Sequence, residues 1–175
     1  MKEIKGFDGE YGFLSNFYEM PVRINVDIYD DDMKTDMPLG NLEVTFPTSE
    51  HAFHAFKVLK DWRTIRQSEV SKFLDFVKYE TPGKAKRAGR SVSMDVELWN
   101  AVKNDVMRFV LNNKFRNVVL KKKLLDTGNA YLEETNTWGD TYWGVCNGEG
   151  ENNLGKLLMD IREKIWTSEV GPKND

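Results

Sequence analysis

The segment "FPTSEHAFHAFKVLK", residues 46–60, decides how the chain is built. On its N-terminal side, "LEVTF" (42–46) reads as a short strand. Further back, Val22, Ile24, Val26 and Ile28 alternate with polar residues inside an extended stretch, 12–29, that contains the turn-prone Ser15-Asn16 pair. Alternation of that kind predicts strands with one buried face. Pro47 ends it, and the chain beyond reads as mostly helical. Thr48 is placed to N-cap a helix, with Glu50 near its positive dipole end. The expected class is therefore α+β, predominantly α-helical, with a small antiparallel N-terminal sheet. The acidic stretch 30–41, holding Pro38 and Gly40, reads as the loop joining the strands.

Working outward, the first helix should run to about Lys60. Residues 61–78 have an amphipathic second half, ended by Pro82-Gly83, and 83–90 form a short basic segment. Residues 94–115 carry Leu98, Val102, Val106, Phe109 and Val110 at helical spacing, and 117–128 read as a further helix stopped by Gly128. A polar, glycine-rich, tryptophan-bearing loop follows (134–153), then an amphipathic helix (154–166) and a tail, 167–175, expected to fray.

The length of 175 residues fits one domain spanning 1–175. A net charge of −3 argues against a strongly basic field for wrapping long nucleic acid, while leaving room for a local basic patch. The single cysteine, Cys146, cannot form an internal disulfide, so a reducing, cytoplasmic setting is expected. No apolar run is long enough for a membrane span or a secretory signal, so no membrane partner is expected.

Glu50, His54 and Lys57 fall within roughly a 60° arc of one helix face at about 100° per residue. Such a cluster can be a dipole-stabilising acid, a satisfied histidine and a solvated lysine. It can equally be a polar face turned into a cleft. A zinc set is not expected: His51 and His54 are the chain's two histidines, and a third ligand of that kind is missing. In the loop, Asp140 sits between Trp138 and Trp143, suited to hydrogen-bond a ligand hydroxyl or to carry an altered pKa. "NGEGENNLG" then leads into the last helix, either as a turn with Asn153 as N-cap or as a phosphate-facing helix start. It lacks the GK[ST] ending of a Walker loop. Arg90 could complement a phosphate or simply be solvated.

In order along the chain, "FLSNFYEMP" (13–21), "FPTSEHAFHAFK" (46–57), "AGR" (88–90), Trp99, "VMRFVLNNKF" (106–115), "GDTYWG" (139–144) and "GENNLGKLLMDIR" (150–162) resemble the NADAR, or YbiA-like, family. The resemblance implies a mostly helical α+β domain that cleaves N-glycosidic bonds of ribosylated nitrogen compounds. Some members act on phosphorylated ribosylamino intermediates of riboflavin synthesis, and others remove ADP-ribose from guanine in nucleic acid. The latter is the favoured expectation here, with ADP-ribosylated DNA or RNA as a substrate.

The family's acid falls on Glu50, its lysine on Lys57, its aspartate on Asp140, its tryptophan on Trp143 and its loop asparagine on Asn152. Breaking C1′–N builds positive charge on the ribose, which a carboxylate from Glu50 or Asp140 stabilises. The resemblance favours an essential Lys57 that attacks C1′ and forms a Schiff base. No metal or redox cofactor is expected. Phe17, Trp138 or Trp143 would stack on a base, and Arg90 with the helix start near Asn152 would receive phosphate. Ser15 and Asn16 would lie at the pocket rim, and His54 would join Glu50 and Lys57 in a ribose site. His54 stands where relatives often carry Gln, Asn153 stands where they often carry a basic residue, and the 30–41 insertion is longer than usual. These departures bear on substrate choice. The rivals are a module that binds ADP-ribose or a nucleotide without cutting it, and a helical interaction protein.

Overall fold

In the computed structural model, which describes residues 2–32 and 37–170, the strands are β1 (Glu3–Lys5), β2 (Val22–Tyr29), β3 (Gly40–Phe46), β4 (Ile65–Arg66), β5 (Tyr131–Glu133), β6 (Thr135–Asn136) and β7 (Val145–Cys146). The α-helices are α1 (Ser49–Ala55), α2 (Val70–Asp75), α3 (Pro82–Arg90), α4 (Val96–Lys114), α5 (Val118–Asp126) and α6 (Asn153–Val170). The class is α+β with helix predominating, as expected. The described residues group into two compact units, one formed by 2–18 with 115–170 and the other by Glu19–Lys114.

In the Glu19–Lys114 unit the alternation becomes a hairpin. β2 and β3 pair antiparallel from Val22 opposite Phe46 to Ile28 opposite Gly40. Val22, Ile24 and Val26 turn inward, Val44 and Phe46 face the same way, and Ile28 is half-buried. β4 adds to β2 in parallel, making a mixed three-stranded sheet in the order β3-β2-β4. Residues 33–36 of the expected hairpin loop lie outside the described residues.

Thr48 caps α1 as expected: its hydroxyl oxygen accepts from the His51 N–H at 3.4 Å and lies 2.8 Å from His51 Nδ1. His51 Nε2 lies 3.0 Å from the Tyr79 carbonyl, which can only accept. The Nε2 proton is thereby fixed, and Nδ1 takes the Thr48 hydroxyl proton. Thr48→Ala therefore removes a cap and orphans a buried imidazole nitrogen, and should cost about 2 kcal/mol in denaturant unfolding.

α1 ends at Ala55, and the chain tightens into a 3₁₀ turn, Phe56–Val58. Phe56 is 1% exposed and meets Phe73 and Phe109 edge-on with centroids 5.3 and 5.7 Å away. Pro82, read in the sequence as a breaker, opens α3 as its first residue, with the Thr81 hydroxyl accepting from the Lys84 N–H at 3.2 Å. The lower half of the α4 stripe packs inward at Val106 and Val110, whereas Leu98 is 48% exposed.

In the other unit, β1 lies parallel to β5, a pairing the sequence reading did not anticipate. Residues 12–14, expected to be extended, belong to a 3₁₀ helix, Gly9–Leu14, so the first long strand starts only at Val22. Ile4, Leu132, Leu154, Leu158 and Ile161 are buried. Arg162 clamps the end of α5 by donating to Thr127 Oγ1 at 2.7 Å and to the Ala130 carbonyl at 2.9 Å. The tail expected to fray is helical to Val170, with Lys121 on α5 paired to Glu169 at 2.5 Å. Residues 171–175 of that tail lie outside the described residues. Among the described residues no helix is long and apolar enough to cross a membrane.

Candidate active site

Three of the predicted site residues meet on α1 and its 3₁₀ continuation. Glu50 is 6% exposed and His54 5%, so the pair is withdrawn from water. Four residues along one helix, they meet with His54 Nε2 3.0 Å from Glu50 Oε1. The carboxylate accepts, so Nε2 carries the proton. Lys86 on α3 brings its ammonium to 4.0 Å from the same oxygen.

Burial is the largest influence on His54 and lowers its pKa below the ordinary 6.5, against the opposing pull of Glu50. The ring is thus neutral near pH 7, and its bare Nδ1 is buried without a hydrogen-bond partner. Gly89 explains this: a Cβ at position 89 would lie 2.1 Å from Nδ1 and 2.5 Å from Cγ. The imidazole fills the space that a side chain there would need.

Lys57 sits one turn further along. Its Nζ donates to the Gly89 carbonyl at 3.3 Å and lies 5.4 Å from the Trp99 ring centroid. Burial lowers its pKa below the ordinary 10.5; Glu50 opposes this, while Arg90, Lys86 and Lys103 push the same way as burial. The cluster therefore combines a partly desolvated amine with a buried carboxylate, the pairing that covalent and charge-stabilising chemistry requires. Lys57 also lines a cleft of about 850 Å³ beside Trp62 and Trp99.

The lowered pKa values carry a stability consequence. His51, like His54, is lowered mainly by burial. Between their folded values and 6.5, the unfolded chain binds more protons than the folded one. The stability due to neutral burial is thus complete above pH 6.5 and is lost as pH falls through the folded values. Unfolding free energy measured against pH should fall on acidification, with a shallower slope in His54→Gln.

The tryptophan-bearing loop forms its own network in the other unit. Asp140 is half-buried, and its Oδ1 accepts from the N–H groups of Tyr142 at 3.2 Å and Trp143 at 2.9 Å. Asn136 braces the same turn: its Oδ1 accepts from Asp140 N–H at 3.0 Å and its Nδ2 donates to the Asp140 carbonyl at 2.7 Å. Asn152 is 2% exposed at φ 54°, a left-handed conformation that Asn tolerates. Its Oδ1 accepts from Glu134 N–H at 3.1 Å, and its Nδ2 donates to Leu132 O at 2.8 Å and Tyr131 OH at 3.1 Å. That amide is therefore committed to holding the loop against β5. The flanking position of α6 is Asn152, not Asn153, because the Lys156 N–H donates to the Asn152 carbonyl at 3.0 Å.

The remaining expected residues divide by exposure. Ser15 ends the Gly9–Leu14 turn, and its hydroxyl accepts from the Phe17 N–H at 3.1 Å. Asn16 is 8% exposed, while Phe17 and Trp138 present rings that are 42% and 63% exposed. Trp143 is half-buried and edge-on to Tyr142, centroids 5.0 Å apart. Arg90 is exposed at the last turn of α3. Sequence reasoning missed Lys86 and Gly89 as parts of the cluster, though "AGR" at 88–90 was a signal for the second.

The family model described as "NADAR domain" matches residues 5–166. The N-glycosidase YbiA of Escherichia coli (strain K12) is 36% identical over 159 residues, covering 89% of this chain and 82% of that protein. The same figures hold for the N-glycosidase YbiA of Shigella flexneri. The riboflavin biosynthesis protein VVA0006 of Vibrio vulnificus is 29% identical over 90% of this chain and 36% of its own length. The solved NMR structure of E. coli YbiA superimposes with a TM-score of 0.70 at 31% identity, covering 97% of this chain and 88% of that one. A family-model match over residues 5–166, relatives at 36% identity and a fold shared with YbiA agree: this chain belongs to the NADAR domain family.

Proposed function

We propose that this chain is an N-glycosidase that hydrolyses the bond between ribose C1′ and a ring or amine nitrogen, and that it removes ADP-ribose from guanine. The observation that carries the reading is Lys57: half-buried, its pKa lowered, beside a buried Glu50 and on the wall of a large cleft. The names of the relatives, N-glycosidases, support the reaction class. In the proposed sequence, the neutral Lys57 amine attacks C1′ and the C1′–N bond breaks. The leaving nitrogen takes the electron pair and a proton. Opening of the sugar gives a Schiff base on Lys57, and water adds to it, releasing the sugar and restoring the amine. Glu50 stabilises the positive charge at C1′.

The test is hydrolysis of ADP-ribosylated guanine in DNA, with product detection and a Glu50→Gln control. Loss of all release in the control supports the reading, and an unchanged rate overturns Glu50's role. A second reading is hydrolysis of phosphorylated ribosylamino-pyrimidines, which the riboflavin name of the Vibrio vulnificus relative favours. Assayed side by side at equal concentration, the substrate with the larger kcat/KM decides between them.

A further inference from the structure

The cleft continues past Lys57 into a region that the proposed chemistry does not use. One wall is apolar. Leu98, exposed, and Val102, half-buried, continue the stripe of α4, and Met94 lies just ahead of its start. Trp99 stands among them, half-buried with its ring centroid 5.2 Å from that of Phe53. An apolar helix stripe that borders a cleft offers a contact surface to a flat or apolar group.

The other side carries cations. Lys60, Arg63 and Lys72 line the cleft, are exposed, and make no side-chain ion pair among the described residues. Arg63 is held in place over the Trp62 ring, its guanidinium carbon 4.6 Å from the centroid. Three carboxylates share this lining, and each is turned to backbone N–H groups. Glu69 accepts from Lys60 and Arg66, Asp61 from Arg63, and Asp95 from Leu98, all at 3.0 Å. The basic side chains are the groups left available to an incoming anion.

From this juxtaposition we propose that the cleft is the subsite for the sugar-side portion of the substrate, a phosphate-bearing, nucleotide-like group. Its flat ring lies on Trp99 and Leu98, and its phosphate is held by Lys60, Arg63 and Lys72. The assignment rests on the N-glycosidase reading, because attack by Lys57 at C1′ leaves the sugar side attached at the cleft wall. A volume of about 850 Å³ is in the range of sites that enclose a cofactor-sized ligand. Guanidinium and ammonium groups supply charge-assisted bonds to phosphate, and an indole face takes any flat ring.

The test uses the full chain and three probes: ADP-ribose, ribose 5-phosphate and adenosine, titrated by calorimetry and tryptophan fluorescence. ADP-ribose should bind most tightly, and K60E/R63E should weaken it at least about tenfold while leaving the melting temperature near the wild type's. Lys164→Glu, an exposed change on α6, should leave binding unchanged. Ribose 5-phosphate binding as tightly as ADP-ribose would overturn the ring half of the proposal. Unchanged ADP-ribose affinity in K60E/R63E would overturn the phosphate half. The two readings fail separately. Turnover with wild-type KM in K60E/R63E removes the subsite and keeps the hydrolase. Cleft-dependent binding with no turnover of any N-ribosyl compound removes the hydrolase and keeps the subsite as a binding site.

Discussion

Lys57→Arg abolishes covalent trapping and lowers kcat by at least about a thousandfold, roughly 4 kcal/mol of barrier. The physical reason is specific to the amine. Arginine keeps the positive charge, and with it the attraction to Glu50 and the stacking on Trp99, but its guanidinium cannot be deprotonated in a protein. Lysine can be, and burial already favours its neutral form here. Treatment with borohydride during turnover should reduce the Schiff base and add the mass of the sugar product to wild type alone. The pH profile of the wild type should rise as Lys57 loses its proton, at a pH below the ordinary 10.5. Equal trapping in the variant, or kcat unaltered, would remove the lysine from the chemistry.

Gly89→Ala carries the largest expected stability effect. In an exposed helix this exchange usually stabilises, by up to about 1 kcal/mol. Here the new methyl would stand 2.1 Å from His54 Nδ1, inside a ring that is buried and hydrogen-bonded at its other nitrogen. Either the ring leaves Glu50 or α3 moves away from α1, and both disturb packing at the centre of the cluster. The expected cost is about 3 kcal/mol, a fall in melting temperature of roughly 10 °C. A second substitution separates this clash from a general loss of helix packing. In the His54→Ala background the ring is gone but the Cβ of residue 54, 2.8 Å from the new methyl, remains, so the penalty of Gly89→Ala should shrink well below its value in the wild type without vanishing. An additive penalty in the double variant would refute the contact.

Much of this arrangement was legible before any coordinates. The period change at Pro47 located the hairpin and α1, because alternation and helical spacing each follow from backbone geometry alone. The Glu50–His54 contact was readable for the same reason: four residues on a helix are always neighbours. What could not be read depends on distant chain. β1 has three residues and shows no periodicity, so its partner β5, more than a hundred positions away, was invisible. Lys86 and Gly89 joined the cluster through the packing of α3 on α1, which spacing within α3 does not encode. The helix start near Asn152 reads as a receiver of phosphate because free N–H groups at a helix N-terminus suit that task, but the packing of the Asn152 side chain depends on distant chain. That side-chain amide is bonded to Glu134, Leu132 and Tyr131, partners that the local sequence does not reveal.

The 3₁₀ turn at Phe56–Val58 has a steric corollary for Lys57. Two residues wound at about 120° and 2.0 Å each, in place of about 100° and 1.5 Å, swing the lysine by some 40° and push it about 1 Å along the axis. The tightening therefore acts as an alignment screw for the amine, setting its reach to the Gly89 carbonyl independently of where Glu50 is fixed. Substitutions at Phe56 or Val58 that let this segment relax to ordinary α geometry would misaim the nucleophile while leaving the Glu50–His54 pair untouched.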